Sequence, residues 1–205
     1  MQGLFGWSTD TWLLLDQLGI LLGLVTAVVT LAGLALAILK RDELRRWLTR
    51  NRFPSVGGAL PDGLRHEGIV FTVSRPETPI WVVETRRPTI VGLIATRESA
   101  TAARAVEQAV ARLNVRVLPL YFVENPDEPG ESRRACLRLL EDLSVGDKPR
   151  LAVDITGGKV PMSLGAFMAA EEFGADTLYV SSQFDSDLKR PRMETARLVV
   201  ISSVA

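Results

Sequence analysis

The sequence predicts an α/β fold with a mainly parallel sheet, preceded by a single apolar N-terminal helix. Three observations carry that expectation. Leu18 to Leu39 is a run of 22 residues without a charge. From Thr89 onward, β-branched runs alternate with segments of helical periodicity, the pattern of strands joined by crossover helices. One of those runs, Leu151 to Ile155, empties into a glycine turn and then another helix. The domain organisation that follows is a membrane helix with a basic extension over residues 1–50, a linker over 51–66 and a globular domain over 67–205.

Composition bounds the rest. Lys plus Arg equals Asp plus Glu at 24 each, so overall charge argues neither for nor against a nucleic-acid partner. The charges are unevenly spread, however. Residues 1–39 hold no Lys or Arg and two acids, Asp10 and Asp16, which leaves 24 basic and 22 acidic residues in the other 166, enough for one ordinary core. The single cysteine, Cys136, cannot form an internal disulfide and falls on the apolar face of a predicted helix, so it is read as core. The single histidine, His66, cannot anchor a usual His/Cys zinc cluster.

As a helix at ~1.5 Å per residue, the uncharged run spans about 33 Å and so crosses a bilayer. Lys40, Arg41, Arg45, Arg46, Arg50 and Arg52 crowd one end while Asp10 and Asp16 sit at the other, and the positive-inside rule places everything after Lys40 in the cytoplasm. Trp7 and Trp12 on one side and Trp47 on the other suit the two interfaces. Ala35-Leu36-Ala37 resembles a signal-peptide cleavage site, but the n-region has no positive charge and the apolar run is longer than a signal's core. Small and polar residues recur at Gly19, Gly23, Thr26, Thr30, Gly33 and Ala37, in steps of four, three, four, three and four. Such a stripe reads as a helix-pairing seam by default, as a pore lining if the threonine hydroxyls face water, or as the generic small-residue content of membrane helices.

Beyond the membrane segment, Asn51 to Gly63 holds Pro54, Gly57, Gly58, Pro61 and Gly63 and breaks regular structure. Gly68 to Ser74 and Pro79 to Glu84 are β-branched and aromatic and are expected to form a hairpin around Arg75-Pro76-Glu77-Thr78, with Trp81 in packing. The alternation then runs strand Ile90 to Ala95, helix Ser99 to Leu113, strand Val115 to Tyr121, helix Glu131 to Leu143, strand Leu151 to Ile155 and helix Val160 to Phe173. Strands Thr177 to Ser181 and Arg197 to Ser203 close the chain. In a flavodoxin-like order, Ile90 to Ala95 lies beside Leu151 to Ile155, and ligands bind at the carboxyl ends of the strands at that switch point.

The glycine turn, Thr156-Gly157-Gly158-Lys159, is suited to an anion. Its glycines let backbone approach a ligand closely, the N–H groups opening the next helix lack partners, and Lys159 adds a cation. A P-loop is excluded, because Val153 and Val160 stand where that motif needs glycine and Ser or Thr. Thr96-Arg97-Glu98-Ser99 opens onto the same crevice. Plain helix capping is the alternative for Thr96 and Ser99; Arg97 has less structural excuse.

These residues match a known family. The strand ending in Thr96-Arg97-Glu98-Ser99, the signature Asp154-Ile155-Thr156-Gly157-Gly158-Lys159 with Met162, and the closing Tyr179-Val180-Ser181-Ser182 strand resemble the CRISPR-associated Rossmann fold (CARF) domains over about Gly68 to Ala205. The resemblance implies a Rossmann-like ligand-binding domain that pairs as a two-fold dimer and binds a cyclic oligoadenylate second messenger of type III CRISPR systems, with cyclic tetra-adenylate the implied ligand and cyclic hexa-adenylate possible. It implies that Thr156, Gly157, Gly158 and Lys159 hold phosphodiester and ribose groups and that Thr96, Arg97, Glu98 and Ser99 approach adenine. Family members with a ribonuclease domain use an Arg and a His with four to six residues between them, whereas Pro61, Leu60 and Ala59 stand five to seven residues before His66. Asp62, Asp127 and Asp187-Leu188-Lys189 are too scattered for a metal-dependent nuclease. No catalytic residue, metal, cofactor or DNA or RNA substrate is therefore expected. The whole chain resembles small CRISPR-associated membrane proteins that join one transmembrane helix to a CARF domain. That resemblance implies a single-pass protein of the bacterial inner membrane, in contact with the lipid bilayer, assembled as a dimer of CARF dimers and forming a pore. A membrane-tethered ring nuclease and a passive membrane-anchored adaptor are the alternatives.

Overall fold

The computed structural model describes residues 9–39, 58–59, 63–144, 149–187 and 190–203. The chain divides into two units, 1–50 and 51–205. In the first, helix α1 runs Thr9–Leu39. It starts well before the uncharged run and takes in Asp10 and Asp16, with Asp10 in its first turn, where the helix dipole favours a carboxylate. The segment Asp10–Leu34 has a mean hydropathy of 2.1 and none of it is buried among the described residues, so this helix is long and apolar enough to cross a membrane. At ~100° per residue, Gly19, Gly23, Thr26, Thr30, Gly33 and Ala37 fall within an arc of about 80°. Thr26 Oγ1 donates to the Leu22 carbonyl at 2.7 Å and Thr30 Oγ1 to the Thr26 carbonyl at 2.8 Å, which satisfies both hydroxyl protons within the helix. Trp7, Trp47 and the basic stretch from Lys40 to Arg52 lie outside the described residues.

The second unit is a sheet with helices on both faces. Its strands are β1 (Gly58–Ala59), β2 (Gly68–Thr72), β3 (Ile90–Thr96), β4 (Arg116–Val117), β5 (Tyr121–Val123), β6 (Leu151–Asp154), β7 (Asp176–Asp185) and β8 (Arg190–Ser202). Helices α2 (Glu77–Arg86), α3 (Ala100–Arg112), α4 (Pro129–Leu143) and α5 (Val160–Phe173) connect them. The order across the sheet is β1-β8-β7-β6-β2-β3-β4, with β5 also on β3. Strands β2 to β7 pair in parallel, and β8 joins β7 and β1 antiparallel.

Four expectations are corrected. Pro79 to Glu84 is not the second arm of a hairpin but lies inside α2. Pro79, Val82 and Val83 are its buried residues, at helical spacing, so tertiary burial overrides the β-branched composition. All five residues of β2 are buried, as in a central parallel strand rather than a half-solvated hairpin arm. Consequently β2 lies between β3 and β6, and the chain reverses direction at the β2/β6 boundary rather than between Ile90 to Ala95 and Leu151 to Ile155. The order is that of the Rossmann fold rather than flavodoxin. Third, the strand expected over Val115 to Tyr121 is split into β4 and β5 around Pro119, which has no N–H to give to the ladder. Fourth, Gly58 and Ala59 within the expected linker pair with Val200 and Val199 of β8.

One apolar layer sits between the sheet and α2 and α3, built on Phe71, Leu93, Val82 and Val106; the other lies under α4 and α5, built on Val70, Ile94, Leu139 and Met162. Trp81 packs against the first, as expected, and Cys136 is fully buried in the second. Helices α4 and α5 cross closely, since a Cβ on Gly165 would stand 2.1 Å from the Pro129 carbonyl oxygen.

Two buried acids mark opposite edges of the sheet. At the amino edge, Asp176 Oδ2 accepts from Arg150 Nε at 2.9 Å and lies 2.8 Å from His66 Nε2, tying together the starts of β2, β6 and β7. At the carboxyl edge, Asp154 Oδ1 accepts the Thr156 N–H at 2.9 Å while Oδ2 has no partner among the described residues. Burial raises the Asp154 carboxyl to about 6, from 3.8, against the lowering effect of its bonds to Thr156. The folded state therefore takes up a proton between about pH 6 and pH 4 that the unfolded chain does not, so Asp154's contribution to stability is greatest below that window and is lost as pH rises through it. Asp154→Asn keeps an acceptor oxygen and removes the titration. Denaturant unfolding of the full chain in detergent, at several pH values from 4 to 7.5, is expected to show the variant's stability relative to wild type rising with pH, by on the order of 3 kcal/mol across the window. A difference independent of pH would exclude Asp154 as the titrating group.

Candidate functional site

The β2/β6 boundary is where the site forms. Strand β6 ends at Asp154, and the Ile155 N–H still donates to the Leu178 carbonyl at 3.0 Å. Thr156 then turns inward, its Oγ1 accepting the Val180 N–H at 2.7 Å, so this turn is tied sideways to β7. The Gly157 carbonyl accepts from Thr72 Oγ1 at 2.6 Å and from Ser163 Oγ at 3.0 Å. A Cβ on Gly157 would stand 2.0 Å from the Thr72 carbonyl oxygen, so only glycine passes the end of β2. Gly158 follows at φ +81°, a left-handed conformation that aims the chain into α5.

Lys159 is the N-terminal flanking residue of α5 and makes no side-chain capping bond; Pro161 occupies the first turn. The opening N–H groups of the helix are thereby left for a ligand, at its positive end. The Lys159 ammonium lies 3.4 Å from both carboxylate oxygens of Asp127, with the two side chains 50% and 67% exposed, a pairing that solvent weakens and an anion can replace.

The second loop closes on itself. Thr96 N–H donates to Ser99 Oγ at 3.0 Å and Ser99 N–H to Thr96 Oγ1 at 3.2 Å. Ser99 flanks α3 but makes no capping bond to it, so the two hydroxyls shape the turn rather than cap the helix.

A recess of ≈ 220 Å³ joins these loops, lined by Val73, Ser74, Thr96, Glu98, Ser99, Gly158, Lys159 and Met162. Of the residues predicted from sequence, it brings together Thr96, Glu98, Ser99, Gly158, Lys159 and Met162. Met162 is fully buried and forms its floor. Thr156 and Gly157 build the turn beneath it. Arg97 lines a separate concavity of ≈ 450 Å³ with Ala100, Phe122, Val123 and Glu124. Val73 and Ser74 are additions that sequence reasoning missed, because the hairpin reading moved their loop away from the switch point. The signal available was the fully apolar Ile69 to Phe71 run leading into Ser74-Arg75-Pro76, which is a central strand feeding a helix.

A larger recess, ≈ 460 Å³, lies at the other edge of the sheet, among Glu84, Arg87, Thr89, Leu113 and Asn114. It faces the carboxyl ends of α2 and α3, where helix dipoles repel anions, so the carboxyl-edge recess is the one suited to phosphate. Among the described residues, no three His, Cys, Asp or Glu side chains converge as a metal site. Asp62, Leu188 and Lys189 lie outside the described residues.

No protein-family profile and no curated protein matches the chain. Solved structures do. A type III CRISPR defence DNA nuclease activated by cyclic oligoadenylate is similar over 73% of this chain and 22% of its own, at 19% identity and a TM-score of 0.52. Csm6 from Enterococcus italicus, bound to cyclic hexa-2'-fluoro-hexa-dAMP, is similar over 69% of this chain and 43% of its own, at 11% identity and a TM-score of 0.50. Can2 from Sulfobacillus thermosulfidooxidans, in complex with cyclic tetra-adenylate, is similar over 57% of this chain and 32% of its own, at 22% identity and a TM-score of 0.48. The chain thus spans less than half the length of each. At these identities the likeness is one of fold: the described residues of the second unit have a mixed α/β, mostly parallel architecture similar to that of CARF domains.

Proposed function

We propose that the chain is a membrane effector of type III CRISPR immunity, in which the CARF-like domain binds a cyclic oligoadenylate and the apolar helices respond by opening a pore that depolarises the membrane. The observation that carries this reading is the Thr156 to Lys159 turn: a glycine-shaped, helix-opening anion cradle at the switch point, in the same chain as a helix long and apolar enough to cross a membrane. Two solved neighbours, one activated by cyclic oligoadenylate and one bound to a cyclic hexanucleotide analogue, support the ligand class.

A recess of ≈ 220 Å³ is smaller than the ~300–1,000 Å³ that encloses a drug-sized ligand, and a cyclic tetranucleotide is larger still, so one chain supplies part of a site. A second copy completes it. Val160, Leu164 and Met168 project from α5 at steps of four, exposed at 82%, 51% and 46%, and this stripe begins beside Lys159. Packing two copies along it sets two recesses side by side, and the two-fold symmetry of cyclic tetra-adenylate suits that arrangement. With one membrane helix per chain, a pore needs about four chains, which makes a dimer of dimers the simplest assembly. The helices meet along Gly19, Gly23, Thr26, Thr30, Gly33 and Ala37 in the bacterial inner membrane. The basic stretch after Lys40 keeps the CARF-like domain in the cytoplasm and links it to them. Ligand drives opening only by binding the open arrangement more tightly than the closed one.

Three outcomes test this reading. Lys159→Ala is expected to weaken binding of cyclic tetra-adenylate by tenfold or more, the loss of a hydrogen bond to a charged group at about 1.5–3 kcal/mol, while assembly in detergent is retained. Binding equal to wild type by calorimetry would place the site elsewhere. Leu164→Asp is expected to halve the mass of the assembly in light scattering and to abolish ligand binding; an unchanged mass removes the α5 stripe from the interface. Protein in dye-loaded, potassium-loaded vesicles is expected to release ions on addition of cyclic tetra-adenylate, and Thr26→Leu with Thr30→Leu to suppress release without altering binding. Vesicles that stay sealed while ligand is bound overturn the pore, and linear product from labelled ligand would identify a ring nuclease instead.

A further inference from the structure

The antiparallel pair β7 and β8 outruns its neighbour. Strand β6 pairs with β7 only through Asp176, Thr177 and Leu178, whereas β7 and β8 stay paired as far as Asp185 and Arg190. The later residues of β7 therefore form a two-stranded ribbon that projects past the carboxyl edge of the sheet, the edge that holds the recess. Phe184 stands on this ribbon with 63% of its surface exposed. The guanidinium carbon of Arg75 lies 5.9 Å from the centre of its ring. Arg75 directly follows Ser74, which lines the recess, in the loop after β2.

Strand β6 separates β2 from β7, so a contact between Arg75 and Phe184 crosses the head of β6, where the Thr156-Gly157 turn sits. Burial in the core does not explain this ring. A largely exposed aromatic ring beside a phosphate cradle, with a guanidinium over one of its faces, has the chemistry of a purine nucleotide site: the opposite face stacks a base and the cation stays near its phosphodiester.

We infer that Phe184 and Arg75 form a further wall of the ligand site, with the Phe184 ring as a stacking platform for an adenine base. This rests on the reading of the Thr156 to Lys159 turn as a cyclic oligoadenylate cradle and assigns the base subsite that the turn lacks. Titration of full-length protein in detergent with cyclic tetra-adenylate tests it. Phe184→Ala is expected to weaken binding about tenfold to a hundredfold, Phe184→Leu to weaken it similarly, and Phe184→Trp to restore it, with the new indole fluorescence quenched as ligand binds. Equal affinity of wild type, Phe184→Ala and Phe184→Leu, with Lys159→Ala impaired, overturns the stacking platform and leaves the cradle intact. Recovery of affinity in Phe184→Leu to the wild-type value overturns stacking in favour of plain apolar contact. A smaller assembly in Phe184→Ala with unchanged ligand affinity makes the ring a contact between copies and also overturns the inference. Absence of binding by wild type itself is the separate failure of the cradle reading.

Discussion

The carboxyl edge of the sheet depends on the approach of Gly157 to the end of β2. There is no room for a side chain between the Gly157 Cα and the Thr72 carbonyl, and the Thr72 hydroxyl holds the Gly157 carbonyl from the other side. That pairing brings the turn after β6 down onto β2 and fixes where α5 begins. Ser163 from the first turn of α5 binds the same carbonyl, so the turn and the helix it opens are set as one piece. The polar groups of the two sheet edges contrast. At the amino edge Asp176 is served by both Arg150 and His66, whereas at the carboxyl edge Asp154 keeps one buried oxygen without a partner among the described residues. The contrast is confined to these two acids, since His66 Nδ1 and Thr177 Oγ1 at the amino edge are also buried without a partner among the described residues.

Much of this was legible from residues alone, for physical reasons that differ by element. The apolar helix announces itself by length, α3, α4 and α5 by the period of their buried positions, and the cradle by two glycines between a strand and a helix. The failure at Pro79 to Glu84 came from weighing composition above spacing. Ile80, Val82 and Val83 favour a strand locally, but burying Pro79, Val82 and Val83 on one face decides for a helix. That one misreading moved the switch point. Once α2 is a crossover helix, the right-handed connection places β2 beside β3, and β6 must fall on the other side of β2. Val73 and Ser74 then enter the recess of necessity. Thr156 is expected to face ligand, and its hydroxyl oxygen also accepts the Val180 N–H; no local pattern reveals a lateral bond to a strand more than twenty residues later. The expected strands, Thr177 to Ser181 and Arg197 to Ser203, stop short of the ribbon, because the polar residues Gln183, Asp185, Arg190 and Arg192 carry no strand signal and antiparallel pairing sustains it.

The bonding of the turn also limits how a ligand can act on the rest of the protein. Gly157 and Thr156 are held by four hydrogen bonds to β2, β6, α5 and β7, so the cradle has little freedom to deform when an anion arrives. Among the described residues, the bond at its mouth that an anion would readily displace is the exposed Lys159 to Asp127 pair, which contributes little to stability. Binding energy is therefore not absorbed in remaking the site. On the proposed reading it is available to change how whole domains pair along α5. On that reading the apolar helix α1 is suited to receive so modest a signal. The Thr26 and Thr30 protons along the small-residue stripe are already bonded to the helix's own carbonyls, and even an interhelical hydrogen bond in a membrane contributes only about 0.6–2 kcal/mol. Allosteric couplings of roughly 1–3 kcal/mol are of the same size. On the proposed reading, a rigid receptor joined to weakly associated helices shifts the membrane assembly with the free energy that one ligand supplies, whereas a deformable cradle or a tightly bonded bundle would not.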